Sequence, residues 1–181
     1  LIRSRGLGDV YKRQIKYDEC LLCEGYTDVI SMFQSGVENV VASSGTSLTR
    51  EQIRLVKRYT KNLTILYDGD AAGIKASFRG IDLILEEGLN VQVVLFPEGE
   101  DPDSFAKNHT LSEIKEMISV KRQDFISFKA GVLIDGSEND PIQRSKLIRE
   151  VVQSVALIPD QITRSVYVQE IAKKFEIDEK T

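Results

Sequence analysis

The chain has 181 residues, which is long enough for one domain of ordinary size with a smaller appendage. Hydrophobic residues make up 41% and charged residues 29%, a composition typical of a globular rather than a disordered protein. The formal net charge of −4 argues against a nucleic-acid-binding protein that works by positive charge alone, although it does not exclude an enzyme that uses bound metal. No apolar run reaches the roughly 18–20 residues of a membrane span and no secretory signal is present, so we expect a cytoplasmic location and no membrane partner.

The opening segment, residues 1–14, differs from the rest of the chain. Its sequence, LIRSRGLGDVYKRQ, has neither a strand period nor a helix period and looks like a translated adapter sequence. We therefore set it aside as a non-native or disordered leader. Without it the chain carries 20 basic and 27 acidic residues, a net charge of −7.

Four short apolar runs alternate with amphipathic runs over the next 90 residues or so. The predicted strands are 20–23, 39–42, 63–67 and 91–96. The predicted helices are 26–34, one that opens with a capping box at Thr49 and Gln52, and 71–87, with Gly36 and Gly88 as terminators. Strand and helix in alternation predict an α/β fold with a parallel sheet flanked by helices.

From about Leu111 the pattern becomes helical, with Pro141 and Pro159 marking the starts of separate helices over 142–156 and 161–175. We expect two units: an α/β domain over residues 15–110, and a small all-helical subdomain over 111–181 that is truncated.

Carboxylates follow three of the predicted strands. Glu24 comes after the first, Asp68 and Asp70 after the third, and Asp101 and Asp103 after the fourth. Because the carboxyl ends of parallel strands lie at one edge of a sheet, these side chains are expected to converge there. A cluster of like charges requires a cation, and oxygen ligands favour Mg²⁺ or Mn²⁺.

Other residues bear on this site, and each acid also has an ordinary structural interpretation. Lys75, one turn into the helix after Asp70, could hold a phosphate together with backbone N–H groups. Cys20 and Cys23 lack a second pair, and His109 is the only histidine, so we expect buried thiols and no zinc site. Asp68-Gly69 is also typical of a turn, Asp70 and Asp101 of helix caps, and Glu24-Gly25 of a strand end.

Four ordered segments resemble the Toprim domain of bacterial DNA primase. They are Glu24–Ile30 (EGYTDVI), Ala42–Thr49 (ASSGTSLT), Tyr67–Ala76 (YDGDAAGIKA) and Pro97–Phe105 (PEGEDPDSF). The resemblance is strong over residues 19–110 and weaker through the helical tail, where 158–160 and 164–167 are similar to the last helices of the primase polymerase core.

The resemblance implies that Glu24, Asp68 and Asp70 are catalytic and hold two or more divalent ions. It also implies that Asp28, Asp101 and Asp103 extend the metal set, and that Lys75, Gly45 and Thr46 contact nucleotide or phosphate. The implied reaction is synthesis of short RNA primers on single-stranded DNA from nucleoside triphosphates, by metal-dependent nucleotidyl transfer.

Primases of this family also carry a zinc-binding module, a basic amino-terminal half of the polymerase core, and a module that contacts the replicative helicase. None of these is recognisable in the sequence, so we expect a metal-binding fragment with little activity of its own. The alternatives are another Toprim enzyme of the topoisomerase or nuclease type, an aspartate-based phosphatase or receiver domain, or an interaction module whose acids form a solvated face.

Overall fold

The computed structural model describes residues 11–43, 47–68, 71–134 and 141–178, with the backbone alone for residues 71–77 and 133–134. Within these ranges the chain forms a five-stranded sheet with helices on both faces. The strands are β1 (Cys20–Cys23), β2 (Val40–Ala42), β3 (Asn62–Tyr67), β4 (Asn90–Leu95) and β5 (Gln123–Asp124). The helices are α1 (residues 11–17), α2 (Tyr26–Gln34), α3 (Arg50–Lys57), α4 (Ala71–Glu86), α5 (Pro102–Asn108), α6 (Leu111–Lys121), α7 (Phe125–Ile134), α8 (Pro141–Ala156) and α9 (Gln161–Phe175).

The strand order in the sheet is β2-β1-β3-β4-β5. Strands β1 to β4 pair in parallel, which confirms the predicted parallel sheet and its helical crossovers. The fifth strand was not predicted, and it runs antiparallel to β4 through the pairs Gln92↔Asp124 and Val93↔Gln123. A strand of two polar residues leaves no apolar pattern for sequence analysis to detect.

The sheet separates two apolar clusters. Along β1, Cys20 and Leu22 belong to one cluster, whereas Leu21 and Cys23 belong to the other, because successive strand residues point to opposite faces. Helices α3, α4, α7, α8 and α9 contribute to the first cluster, and α2, α5 and α6 contribute to the second. Burial on both faces explains why the strands are continuous apolar runs in the sequence.

The predicted helix boundaries agree closely with the structure. Helix α3 has the expected capping box, since the Thr49 hydroxyl accepts the Gln52 N–H at 3.3 Å and the Gln52 side chain accepts the Thr49 N–H at 3.0 Å. Gly36 and Gly88 follow α2 and α4 with φ of +96° and +75°, backbone conformations in which a side chain would be strained.

The structure corrects the treatment of the opening segment. Residues 11–17 form α1, although residues 1–14 were set aside as a leader. Gln14 is buried and its amide donates to Cys20 Sγ at 3.3 Å, and the Tyr11 ring stacks on Tyr59 with centroids 4.2 Å apart. The stack of Tyr11 on Tyr59 joins residues far apart in the chain and helps to order a segment whose own sequence has little periodicity. Residues 1–10 lie outside the described ranges.

The longest helices of the described residues, α4 and α8, have 16 residues each. No helix in the described ranges is long and apolar enough to cross a membrane.

Candidate metal centre

Five carboxylates lie around the carboxyl ends of the parallel strands. Glu24 follows β1, Asp28 lies in the first turn of α2, and Asp68 follows β3. Asp101 and Asp103 lie where the chain enters α5 after β4. We call these five residues the acidic edge. The parallel pairing of β1, β3 and β4 brings their carboxyl ends to the same side of the sheet, as the sequence predicted.

Asp28 is the buried member of the acidic edge, with 7% of its surface exposed. Its Oδ2 accepts the Gly25 N–H at 2.9 Å, and a Cβ at Gly25 would lie 3.3 Å from that oxygen. Burial raises the pKa of Asp28, and the charges of Asp101, Asp103 and Glu24 raise it further, against the opposing effect of the Gly25 hydrogen bond. These carboxylates therefore lie close enough to repel one another, and a bound cation would relieve that repulsion.

A buried thiol lies among the same charges. Burial raises the pKa of Cys23 well above its ordinary value, and Asp28, Asp68 and Cys20 raise it further. Cys20 is buried too, and its pKa is raised to about 12 by burial and by Glu19. Neither cysteine forms a disulfide, and both thiols stay protonated at neutral pH. They are therefore poor metal ligands, in agreement with the expectation of buried thiols.

Asp101 and Asp103 both have partners within the protein. Asp101 caps α5, since its Oδ1 accepts the Ser104 N–H at 2.6 Å. Asp103 accepts the hydroxyl of Ser31 and forms an ion pair of 2.6 Å with Lys107, which holds the pKa of Asp103 below its ordinary value. These two carboxylates fix α5 at the edge and contribute negative charge there.

Glu24 is exposed, and its backbone carbonyl accepts the Ser43 hydroxyl at 3.4 Å. Asp70, Gly45 and Thr46 lie outside the described residues, as does the side chain of Lys75, whose backbone lies in α4. Among the described residues, no three His, Cys, Asp or Glu side chains are close enough together to hold a metal ion. The ligand set thus remains a prediction.

Two polar residues next to the acidic edge, Ser31 and Lys107, were not predicted from the sequence. Ser31 is buried in α2 and binds Asp103, so it links α2 to α5. Lys107 lies four residues after Asp103, the spacing at which helical side chains of opposite charge meet. That spacing was a usable signal for Lys107, whereas the Ser31 contact spans 72 positions along the chain and leaves no local signal.

Three basic residues of α3 bind the end of α4. Arg50 pairs with Glu86 at 2.6 Å, Arg54 pairs with Glu87 at 2.8 Å, and Lys57 Nζ donates to the Glu87 carbonyl at 2.5 Å. Their charges are thus compensated within the protein.

A cleft of about 520 Å³ lies at the opposite edge of the sheet, around the amino ends of the strands. Its polar groups largely bind one another: Asn90 donates to Asn62 at 2.8 Å, and Arg122 pairs with Glu19 at 2.8 Å. The size of this cleft does not make it the chemical site, because the carboxylates that follow the strands lie at the other edge.

Comparison with known proteins relates this arrangement to one family. Residues 21–106 match the family described as Toprim-like, and residues 139–180 match the DnaB-helicase binding domain of primase. The chain is 33% identical over 166 residues to the DNA primase of Staphylococcus epidermidis, an alignment that covers 92% of this chain and 28% of that protein. Most of the chain is thus similar to DNA primases.

Solved primase structures superpose on most of the chain. A primase domain from Pseudomonas aeruginosa has a TM-score of 0.83 at 26% identity, over 97% of this chain and 56% of that one. A DnaG primase catalytic domain bound to single-stranded DNA has a TM-score of 0.75 at 27% identity, over 86% of this chain and 51% of that one. The chain spans less than a third of the curated primases that it matches.

The match over residues 139–180 corrects one expectation. The helicase-contacting module of primases was not recognisable in the sequence pattern, whereas the family described as the DnaB-helicase binding domain of primase covers α8 and α9. The sequence pattern had assigned the same helices to the polymerase core. The superposition with the primase domain of Pseudomonas aeruginosa includes these helices, since it covers 97% of the chain.

Proposed function

We propose that this chain is the metal-binding catalytic part of a primase, and that Glu24, Asp68 and Asp70 hold Mg²⁺ or Mn²⁺. The observation that supports this most directly is the parallel pairing of β1, β3 and β4, because it brings the residues that follow these strands, Glu24, Asp68 and Asp101, to one edge of the sheet. The donor set fits such ions, because carboxylate oxygens are available at the edge and the two thiols are buried and protonated.

A divalent cation bound there would neutralise the triphosphate and lower the pKa of the attacking 3′-hydroxyl. The residues of the chain would orient the reactants. Glu24, exposed at the end of β1, is free to act as a ligand or to accept the proton of that hydroxyl. Lys75 together with Gly45 and Thr46 would contact the phosphates. Asp28, Asp101 and Asp103 would extend the negative field that attracts the cation.

The proposed substrates are a single-stranded DNA template and nucleoside triphosphates, and the product is a short RNA primer. The single-stranded DNA bound by a DnaG catalytic domain 27% identical to this chain supports the template. The match to a helicase-binding domain of primase supports the replicative helicase as partner. We place this activity at the replication fork in the bacterial cytoplasm.

Thermal unfolding with increasing Mg²⁺ and Mn²⁺ tests the metal site. A cation that binds only the folded chain raises the free energy of unfolding, by about 2.7 kcal/mol when its concentration is a hundred times Kd. The unfolding midpoint must rise accordingly. We expect Asp68→Asn/Asp70→Asn to raise the metal-free midpoint by removing repulsion and to abolish most of the metal response.

The matched control is Glu116→Gln/Glu170→Gln, which removes the same charge from exposed positions on α6 and α9. This variant should respond to metal as the natural sequence does. Equal, flat curves for the natural chain and the aspartate variant would overturn the proposal.

Primer synthesis tests the second half of the proposal. Since the chain spans less than a third of curated primases, we expect the 181 residues alone to bind metal yet make little or no RNA on single-stranded DNA. Incorporation of labelled nucleotides measures this directly. Strong template-dependent synthesis by the isolated chain would show that the catalytic unit is smaller than proposed.

A further inference from the structure

Helix α7 contacts both elements that flank the Asp68 position. The Phe128 ring stacks on Tyr67, the last residue of β3, with centroids 5.6 Å apart and planes 12° apart. The same ring meets Phe78 of α4 edge-on, with centroids 6.1 Å apart. One buried side chain therefore touches the strand that leads into Asp68 and the helix that begins three residues later.

The next residue of α7, Lys129, holds α4 by directional bonds. Lys129 is 2% exposed, and its Nζ donates to Asp82 at 2.7 Å and to the Ser154 hydroxyl at 2.5 Å. The Ser154 hydroxyl also bonds Asp82 at 2.7 Å, so α4, α7 and α8 meet in one polar junction. The ammonium group lies 5.0 Å from the Phe78 ring, one helical turn before Asp82.

We propose that Phe128 and Lys129 are positioning residues for the metal site, which fix the end of β3 and the register of α4 relative to each other. This inference rests on the proposed function. The contacts of α4 in this core through Ile81, Ile84 and Leu85 are apolar and include no directional bond, and the ion pairs of α4 with α3 lie at its carboxyl end. The hydrogen bonds of the buried Lys129 with the partly exposed Asp82 and with Ser154 are directional, so they resist rotation of α4, because the bonded groups must stay within bonding distance.

The geometry explains how such a contact acts on Asp68. A helix of 16 residues is a rigid rod of roughly 24 Å, so a rotation at Asp82 is carried to its first turn. The stacked Tyr67–Phe128 pair fixes the other side, directly before Asp68 in the chain. If either contact is lost, the position of Asp68 relative to the rest of the acidic edge should become less well fixed.

Two variants separate positioning from plain stability. Phe128→Leu removes the two ring contacts and keeps an apolar side chain. Lys129→Met/Asp82→Leu replaces the ion pair with apolar groups and leaves Ser154 bonded to the Glu150 carbonyl at 3.1 Å, so no buried charge is left unpaired. The control, Ile118→Ala, makes a cavity in the other core cluster, away from α4 and α7.

Amide hydrogen exchange is the first measurement. In both α7-contact variants we expect exchange in residues 64–68 and in α4 to rise about tenfold more than in α5 and α6. In Ile118→Ala the larger rise should fall in α5 and α6. Exchange that rises uniformly over the chain, or not at all, in the α7-contact variants would overturn the inference.

The Mn²⁺-dependent rise in unfolding midpoint is the second measurement. We expect it to fall by at least half in the α7-contact variants and to be unchanged in Ile118→Ala. Full retention of the metal response in variants that are merely less stable would overturn the inference while leaving the proposed function intact. A natural chain without any metal response would overturn the proposed function, and hydrogen exchange would still decide whether α7 positions β3 and α4.

Discussion

At the scale of one residue, the charge of Asp28 in the acidic edge lowers the free energy of unfolding. Its carboxyl is buried, receives one backbone hydrogen bond from Gly25, and faces three other carboxylates. Because its pKa is raised, the folded state holds the Asp28 proton more tightly than the unfolded chain does. Ionisation of Asp28 therefore reduces stability as the pH rises from the ordinary aspartate range through the raised pKa.

Asp28→Asn should accordingly be more stable than the natural sequence at neutral pH. The amide oxygen can still accept the Gly25 N–H, while the charge is lost. We expect a midpoint about 2–4 °C higher at pH 7.5, which corresponds to roughly 1 kcal/mol for a chain of this size. The two unfolding curves should converge as the pH falls below the ordinary aspartate range.

Glu170→Gln, at an exposed position of α9, serves as the control and should show no such pH dependence. Saturating Mg²⁺ should narrow the difference between Asp28→Asn and the natural sequence, because a bound cation stabilises the charged carboxylate. A variant that is less stable than the natural chain at neutral pH would contradict this account.

At the scale of the element, two of the five edge carboxylates also stabilise the helices next to them. Asp101 caps α5, and Asp103 connects α5 to Ser31 of α2. The Ser35 hydroxyl adds a bond of 2.9 Å to the Ala106 carbonyl, so α2 and α5 are joined at two points. The negative charge at the edge is therefore supplied partly by residues that the fold needs in any case.

Substitutions at Asp101 separate the cap from the charge. Asp101→Ala should lower stability by about 1 kcal/mol, because the Ser104 N–H loses its acceptor. Asp101→Asn keeps an acceptor oxygen and should stay within about 0.5 kcal/mol of the natural chain, since Asn and Asp cap helices about equally well. Urea unfolding measures both differences.

If Asp101→Asn were as destabilising as Asp101→Ala, the charge and not the cap would be what α5 requires. The Asn variant should also retain a metal response, because Asp101 lies outside the proposed catalytic set of Glu24, Asp68 and Asp70.

On the scale of the whole molecule, the helical tail completes the core of the sheet. Leu63 and Val91 of the sheet share one buried cluster with Phe125, Val151 and Phe175, which come from α7, α8 and α9. The division into residues 15–110 and 111–181 follows the change of sequence period, but the apolar packing crosses it.

A chain ending at residue 110 should therefore fail to fold cooperatively. One face of its sheet would lose the cover of α7, α8 and α9, and the exposed apolar area would favour a loosely packed or aggregating state. Near-ultraviolet circular dichroism and binding of a hydrophobic dye test this. A sharp unfolding transition with little dye binding would show that the first 110 residues form an independent domain.

The sequence by itself determined the parallel sheet, its four main strands, most helix boundaries and the edge at which the carboxylates lie. These features depend on local periodicity, on caps such as Thr49, and on a general property of parallel sheets. The tertiary structure alone decided the antiparallel pairing of β5, the ordering of α1 by the stack of Tyr11 on Tyr59, and the contact of Asp103 with Ser31. It alone also brought Phe128 and Lys129 against β3 and α4. The physical reason is that these contacts join residues far apart in the chain, so the energy that favours them has no counterpart in the local pattern.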